Sequence, residues 1–100
     1  MGKGYWIIRA NVTDPEKYAE YAKRTPKALE KYGGTFLVRA GEHRVVEGNS
    51  WSRNSIIEFP TYRAAMECWN SPEYQNAKVF RAGAAEMDIV VIEGLEDESL

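Results

Sequence analysis

A single cysteine, Cys68, leaves the chain unable to close an internal disulfide or to assemble a cysteine-based metal cluster. Histidine is equally scarce: His43 stands alone, so a histidine-rich metal or haem site is not expected. Positive charge is not in excess either. A formal net charge of -2, with the lysines and arginines scattered, argues against a nucleic-acid partner, which calls for a basic face. No apolar run approaches the ~20 residues that cross a bilayer, and no basic-then-apolar leader opens the chain. No membrane partner is therefore expected, and the single cysteine fits a reducing cytoplasm. No glycine-rich loop opens a helix as a phosphate-binding loop would, because Gly33-Gly34 follows a helical stretch instead. What remains is an ordinary globular composition, 44% hydrophobic and 28% charged over 100 residues. That suffices for one domain with one core, expected over residues 4–94 with an acidic tail at 95–100.

The chain turns on Tyr32-Gly33-Gly34-Thr35-Phe36-Leu37-Val38-Arg39. Before it, apolar residues recur at helical spacing; after it they alternate or run together as in a strand. Gly33 can end a helix in the left-handed conformation and Gly34 allows a tight reversal. Upstream, Gly4 to Val12 reads as a strand with Tyr5, Ile7 and Arg9 on one face and Trp6, Ile8 and Ala10 on the other. Asp14-Pro15-Glu16 is a helix start, and Tyr18, Tyr21, Ala22, Thr25, Leu29 and Tyr32 form one stripe after it. Pro26 predicts a kink there, or a break with Thr25 capping a second short helix.

Thr35 to Ala40 is the second strand. Gly41-Glu42 predicts a turn, His43 to Glu47 a short extension or hairpin arm, and Gly48-Asn49-Ser50 another turn. Arg53 to Phe59 is the third strand, stopped by Pro60. Thr61 caps a short helix with Tyr62, Ala65, Met66 and Trp69 on one face. Ser71-Pro72 starts another, with Tyr74, Ala77, Phe80 or Arg81, and Ala84 inward. Asp88 leads into a strand through Ile89-Val90-Val91-Ile92, the most buried-looking of the four, and Gly94 closes it.

The order strand, helix, strand, strand, helix, strand, with right-handed crossovers, places both helical layers on one face of an antiparallel sheet. This is an α+β ferredoxin-like βαββαβ sandwich. Its other face stays bare, yet Trp6 or Ile7, Phe36 or Leu37, Ile56 or Ile57, and Val90 or Val91 must point there. An apolar surface of that extent marks an interface. The simplest closed solution is a homodimer with the two sheets packed face to face about a two-fold axis.

Asp14-Pro15, Tyr21, Tyr32-Gly33-Gly34, Leu37-Val38-Arg39, Glu47-Gly48, Phe59-Pro60, Ser71-Pro72-Glu73-Tyr74, Arg81 and Glu93-Gly94 together resemble the domain-of-unknown-function 1330 family. The likeness runs from about Tyr5 to Gly94. It implies the dimeric α+β barrel architecture, whose members include cofactor-independent monooxygenases, lactone isomerases, dehydratases and haem-handling enzymes. It implies no particular activity.

Arg39 and Glu47 match family positions on either side of the turn after the second strand. Arg39 can hold an anionic ligand by its fork while Glu47 serves as base, or the two form an ion pair across a hairpin arm. Arg81, with Tyr74 on the same helix, completes a pocket at the sheet edge or packs its stem on the ring. His43 is suited to proton transfer near neutral pH or is a plain surface residue. Trp51, Trp6 and Trp69, with Tyr18, Tyr21, Tyr62 and Tyr74, line an aromatic cavity or serve as core and dimer contacts. Cys68 reads as packing, since no base sits at a recognisable spacing. Haem-degrading relatives place a histidine after a Trp, whereas His43 precedes Trp51 and Trp69, which speaks against haem. The expectation is a homodimer that binds a small anionic or aromatic molecule, with any chemistry cofactor-independent proton transfer or oxygenation. The alternative is a non-catalytic homodimer whose aromatics are all structural.

Overall fold

A computed structural model describes residues 2–95, so most of the expected acidic tail, 96–100, lies outside the described residues. Four strands and three helices follow the expected order: β1 (Gly4–Val12), α1 (Pro15–Lys31), β2 (Thr35–Arg39), β3 (Arg53–Phe59), α2 (Tyr62–Asn70), α3 (Pro72–Lys78) and β4 (Ala85–Glu93). A 3-10 turn over Val79–Arg81 leads from α3 towards β4. The sheet is antiparallel in the order β2-β3-β1-β4, the ferredoxin-like arrangement.

Local chemistry explains the helix ends. The Asp14 carboxylate accepts from Lys17 N–H at 3.2 Å, and Pro15 fills the first position where an amide would be idle. At the other end Gly33, at φ +77°, donates to Glu30 O, and Gly34 donates to Leu29 O. Those two bonds make a left-handed cap that a residue with a Cβ would strain. The Thr61 hydroxyl caps α2 through Ala64 N–H, and Ser71 caps α3 through Tyr74 N–H while donating back to Cys68 O. Helix α1 is unbroken through Pro26, so the two-helix alternative is not realised. Tyr21, Thr25, Ala28 and Leu29 form its buried stripe, and the Thr25 hydroxyl folds back onto Tyr21 O at 2.8 Å.

The core lies between the helices and the inner face of the sheet. Trp6 is its hub: fully buried, its indole N–H donating to Ala65 O at 3.0 Å, its ring in contact with Phe59, Trp69 and Tyr74. A polar N–H this deep needs such a partner, since leaving it unpaired would cost about 1–3 kcal/mol. Cys68 is buried beside it in the same cluster.

Among the described residues no helix covers the outer face. Register places Ile7 between Ile56 and Val90, and Tyr5 beside Ile92. Val38 stands opposite Ile56 after a register shift between Phe36 and Val38. Leu37, Val38, Val90 and Ile92 are each about half exposed, at 43–54%. The residues left open by the sequence are thus assigned: Ile7, Ile56 and Val90 face outward, while Trp6, Ile57 and Phe36 face the helices.

Three expectations are corrected. Residues 43–47 form no hairpin arm, because 40–52 is irregular and Val46 is almost fully exposed with nothing to pair against. β4 begins at Ala85 rather than near Asp88, since its pairing with β1 continues to Val12 opposite Ala85. Nor is β4 the most buried strand: as an edge strand covered on one side, it alternates between half-buried and exposed residues.

Helix α2 approaches β1 so closely that a Cβ on Gly4 would lie 2.5 Å from Thr61 O and 2.7 Å from Tyr62 Cα, both backbone atoms. Gly41 meets nothing within 4 Å. Gly4→Ala is expected to lower stability by about 2 kcal/mol or more, and Gly41→Ala to change it by under about 0.5 kcal/mol. Urea denaturation of the two variants checks this, and equal effects would contradict the packing described.

Candidate ligand site

The alternation of the strands and the stripe of α1 enclose a cavity between the inner face and the helix. From the sheet come Ile8 and Ala10 of β1, Phe36 and Arg39 of β2, Arg53, Ser55 and Ile57 of β3, and Met87 of β4. Helix α1 contributes Tyr18, Tyr21, Ala22 and Thr25. Its volume is about 50 Å³, room for a few waters or a short organic group.

The charge in this cavity is of one sign. The Arg39 guanidinium lies 4.6 Å from the Phe36 ring centroid and that of Arg53 5.6 Å from the Tyr18 ring. Such stacking stabilises a cation modestly and leaves its N–H edges available. Among the described residues the ion pairs are Lys3–Glu58, Lys23–Glu20, Arg24–Glu20 and Lys31–Glu73, so neither cavity arginine is joined to a carboxylate. Neither Asp, Glu nor His lines the cavity.

Behind the cavity wall Tyr21 is fixed by a second layer. Its hydroxyl shares a 2.8 Å hydrogen bond with that of Tyr74, and both rings are buried. Arg81 stands over the Tyr21 ring at 5.4 Å. Burial, then the neighbouring Tyr74 phenol, pushes the Tyr21 pKa well above the ordinary tyrosine value. Burial disfavours the Arg81 charge, but the Tyr74 and Tyr21 hydroxyls outweigh it and hold the guanidinium pKa above its usual value. The Arg81 Nε is buried without a partner. Tyr21 is thus a neutral phenol at physiological pH, clamped from behind, and unsuited to act as a base.

The seven residues singled out from the sequence fall into three places. Arg39 and Tyr21 line the cavity, and Tyr74 and Arg81 support it through Tyr21. Glu47, His43 and Trp51 lie across the sheet. Glu47 and His43 share a hollow with the outer-face residues Arg9 and Asn54, the His43 Nδ1 being 3.2 Å from Gly41 O. Trp51 donates its indole N–H to Asp88 Oδ2 at 2.9 Å beside Arg9. The expected partnership of Arg39 with Glu47, as site or as ion pair, is not formed: Arg39 pairs in register with inward-facing Ser55, while the irregular loop carries Glu47 to the other side.

Sequence reasoning missed Arg53 and Ser55. The signal was present, since 53, 55, 57 and 59 share a face by the two-residue period and Phe59 is plainly inward. Cys68 behaves as packing: burial, then the Glu73 charge, pushes its thiol up to about 12. Among the described residues no three His, Cys, Asp or Glu side chains gather as a metal site, and no helix is long and apolar enough to cross a membrane.

A profile described as Domain of unknown function (DUF1330) matches residues 3–95. No curated protein matches the sequence. Among solved structures, the chain is similar to RPA0582, a protein of unknown function from Rhodopseudomonas palustris. The identity is 20%, the TM-score 0.74, and the match covers 95% of this chain and 84% of that one. It is also similar to SnoaB, a cofactor-independent oxygenase from Streptomyces nogalater, at 12% identity and TM-score 0.67, covering 96% of each chain. A third is a dimeric protein of unknown function with a ferredoxin-like fold from Bacteroides fragilis, at 17% identity and TM-score 0.58, covering 94% and 98%. At these identities the likeness establishes the fold alone.

The two raised pKa values set a pH dependence. Unfolded cysteine and tyrosine lose their protons near pH 9 and ~10, whereas folded Cys68 and Tyr21 keep theirs to higher pH. Their contribution is full below the unfolded values and is lost as pH rises through the folded ones. Stability measured by urea denaturation should hold to about pH 9 and then decline. Cys68→Ala and Tyr21→Phe should each decline less steeply; wild-type steepness in both variants would contradict the assignment.

Proposed function

The chain belongs to the DUF1330 family, a domain of unknown function, and from that premise we propose that it is a homodimer that binds a small anionic molecule between sheet and helix α1. The observation that carries this reading is the cavity itself, lined against apolar walls by two arginines that pair with no carboxylate among the described residues. Arg39 binds the anion, Tyr21 forms the wall against the ligand body, and Tyr74 and Arg81 hold Tyr21 in place. An aromatic or aliphatic body suits the lining from Tyr18, Phe36 and Met87.

The homodimer is supported by the uncovered apolar outer face and by the similarity to a protein described as dimeric. Packing two such faces together would put Glu47, His43 and Trp51 at the rim of the contact. A cytoplasmic location belongs to the same reading, supported by a lone buried thiol that has no disulfide to form.

Catalysis is the second reading, supported by the similarity in fold to a cofactor-independent oxygenase. Proton transfer in the cavity would need a base, and the carboxylate and imidazole proposed for that role, Glu47 and His43, belong to the opposite face of the same chain. Binding without turnover is therefore the better-supported reading.

A thermal-shift screen of organic acids on wild type and Arg39→Ala tests the proposal. An acid at about a hundred times its dissociation constant adds about 2.7 kcal/mol, which raises Tm by several degrees in a domain of this size. That rise is expected in wild type and should be largely lost in Arg39→Ala. No shift with any acid, or equal shifts in both proteins, would contradict it.

A further inference from the structure

We infer that Arg39, Arg53 and Ser55 together form a seat for one planar carboxylate, so that the ligand of this cavity is a carboxylic acid with a small apolar body. The inference rests on the proposed binding function and specifies its ligand. Register fixes the three donors relative to one another. Arg39 lies directly opposite Ser55 across β2 and β3, and Arg53 precedes Ser55 by two residues on the same inner face. The three residues are thus neighbours on the sheet side of the cavity.

The Ser55 hydroxyl keeps a proton to give. Its oxygen accepts from Ala40 N–H at 3.0 Å, and no described residue accepts the Ser55 proton. Ala40 itself is held at φ +49°, a left-handed conformation unfavourable for a residue with a Cβ, immediately after Arg39. Its N–H is shared between Ser55 Oγ and Asn54 O. Strain at that point fixes the end of β2 and the serine rotamer together.

Among the described residues no carboxylate is paired with either arginine. Each guanidinium rests on an aromatic ring instead of a carboxylate, although acidic residues outnumber basic ones fifteen to thirteen in the chain. Two like charges beside one cavity repel, and a bound anion between them removes that repulsion. A planar carboxylate offers an edge to each guanidinium fork and a lone pair to the hydroxyl. The apolar part of the lining, Ile8, Phe36, Ile57 and Met87 among it, would strip water from a more heavily hydrated dianion such as phosphate without replacing it. The small cavity volume favours the carboxylate with a short or flat body.

Amide chemical-shift titrations with propionate and benzoate, each against its primary amide, and with inorganic phosphate, test this. At least one acid should bind about tenfold or more tightly than its amide, moving the amides of Arg39, Ser55 and Tyr21. Arg53→Met should weaken that acid by a similar factor while the amide is little affected, and Arg53→Lys should not restore it because lysine lacks the fork. Preserved spectral dispersion in both variants verifies their folding. An acid that binds Arg53→Met as well as wild type but is lost in Arg39→Ala overturns the paired-arginine seat and leaves the proposed function standing. Acid and amide binding alike, or phosphate binding more tightly than either acid, overturns the carboxylate. No response from any probe overturns this inference and the proposed function together.

Discussion

A strand with large apolar side chains on both faces has to be covered twice, and this chain owns helices for one side only. β1 states the problem in adjacent residues. Trp6 is sealed under α2 and α3 with its N–H bonded to Ala65 O, while Ile7 next to it faces out between Ile56 and Val90. The inner half is a dense aromatic cluster in which rings meet tilted or edge-on at 4.9–6.2 Å. The outer half is a strip of aliphatic groups bordered by Arg9, Asp88 and Glu58. Self-association over such a strip hides the apolar centre and leaves the charged border in water.

The cavity follows from the same division. Helix α1 packs on the inner face through Tyr21, Thr25, Ala28 and Leu29. At the Tyr21 end, however, the strands offer Ala10, Ser55, Arg53 and Arg39 beside the one ring of Phe36. Space remains there because nothing bulky fills it, and cationic side chains supply its walls. The Tyr21–Tyr74 hydroxyl pair ties that wall to α3, and Arg81 completes the support with one N–H still unpartnered. The arginine-lined cavity and the aromatic core are therefore adjoining parts of one packed layer.

Much of this architecture was legible in the residues. The bounds of β1 and β3 were read correctly, β1 as a run with large side chains on both faces and β3 as one stopped by Pro60, and Asp14, Thr61 and Ser71 announced their helices through side chains that can accept from first-turn amides. The early start of β4 was not legible, since Ala85-Glu86-Met87 has little intrinsic strand preference and is recruited by pairing with β1. Val45 and Val46 misled in the opposite sense: β-branched residues read as strand, but with no neighbour to pair with they remain exposed loop. For the site, Arg39 and Tyr21 were found, whereas the path of residues 40–52 decided that Glu47, His43 and Trp51 lie across the sheet. No local periodicity encodes such a path. Arg53 was overlooked because the first residue of a strand reads as a boundary until its facing is followed.

The claim beneath all of this is that the outer sheet face is covered by a second copy of the chain. Sedimentation equilibrium at micromolar concentration tests it most directly, on wild type and on Ile7→Glu with its folding verified by circular dichroism. The account predicts the mass of a dimer for wild type and of a folded monomer for the variant. A wild type that sediments as a folded single chain throughout that range would contradict it.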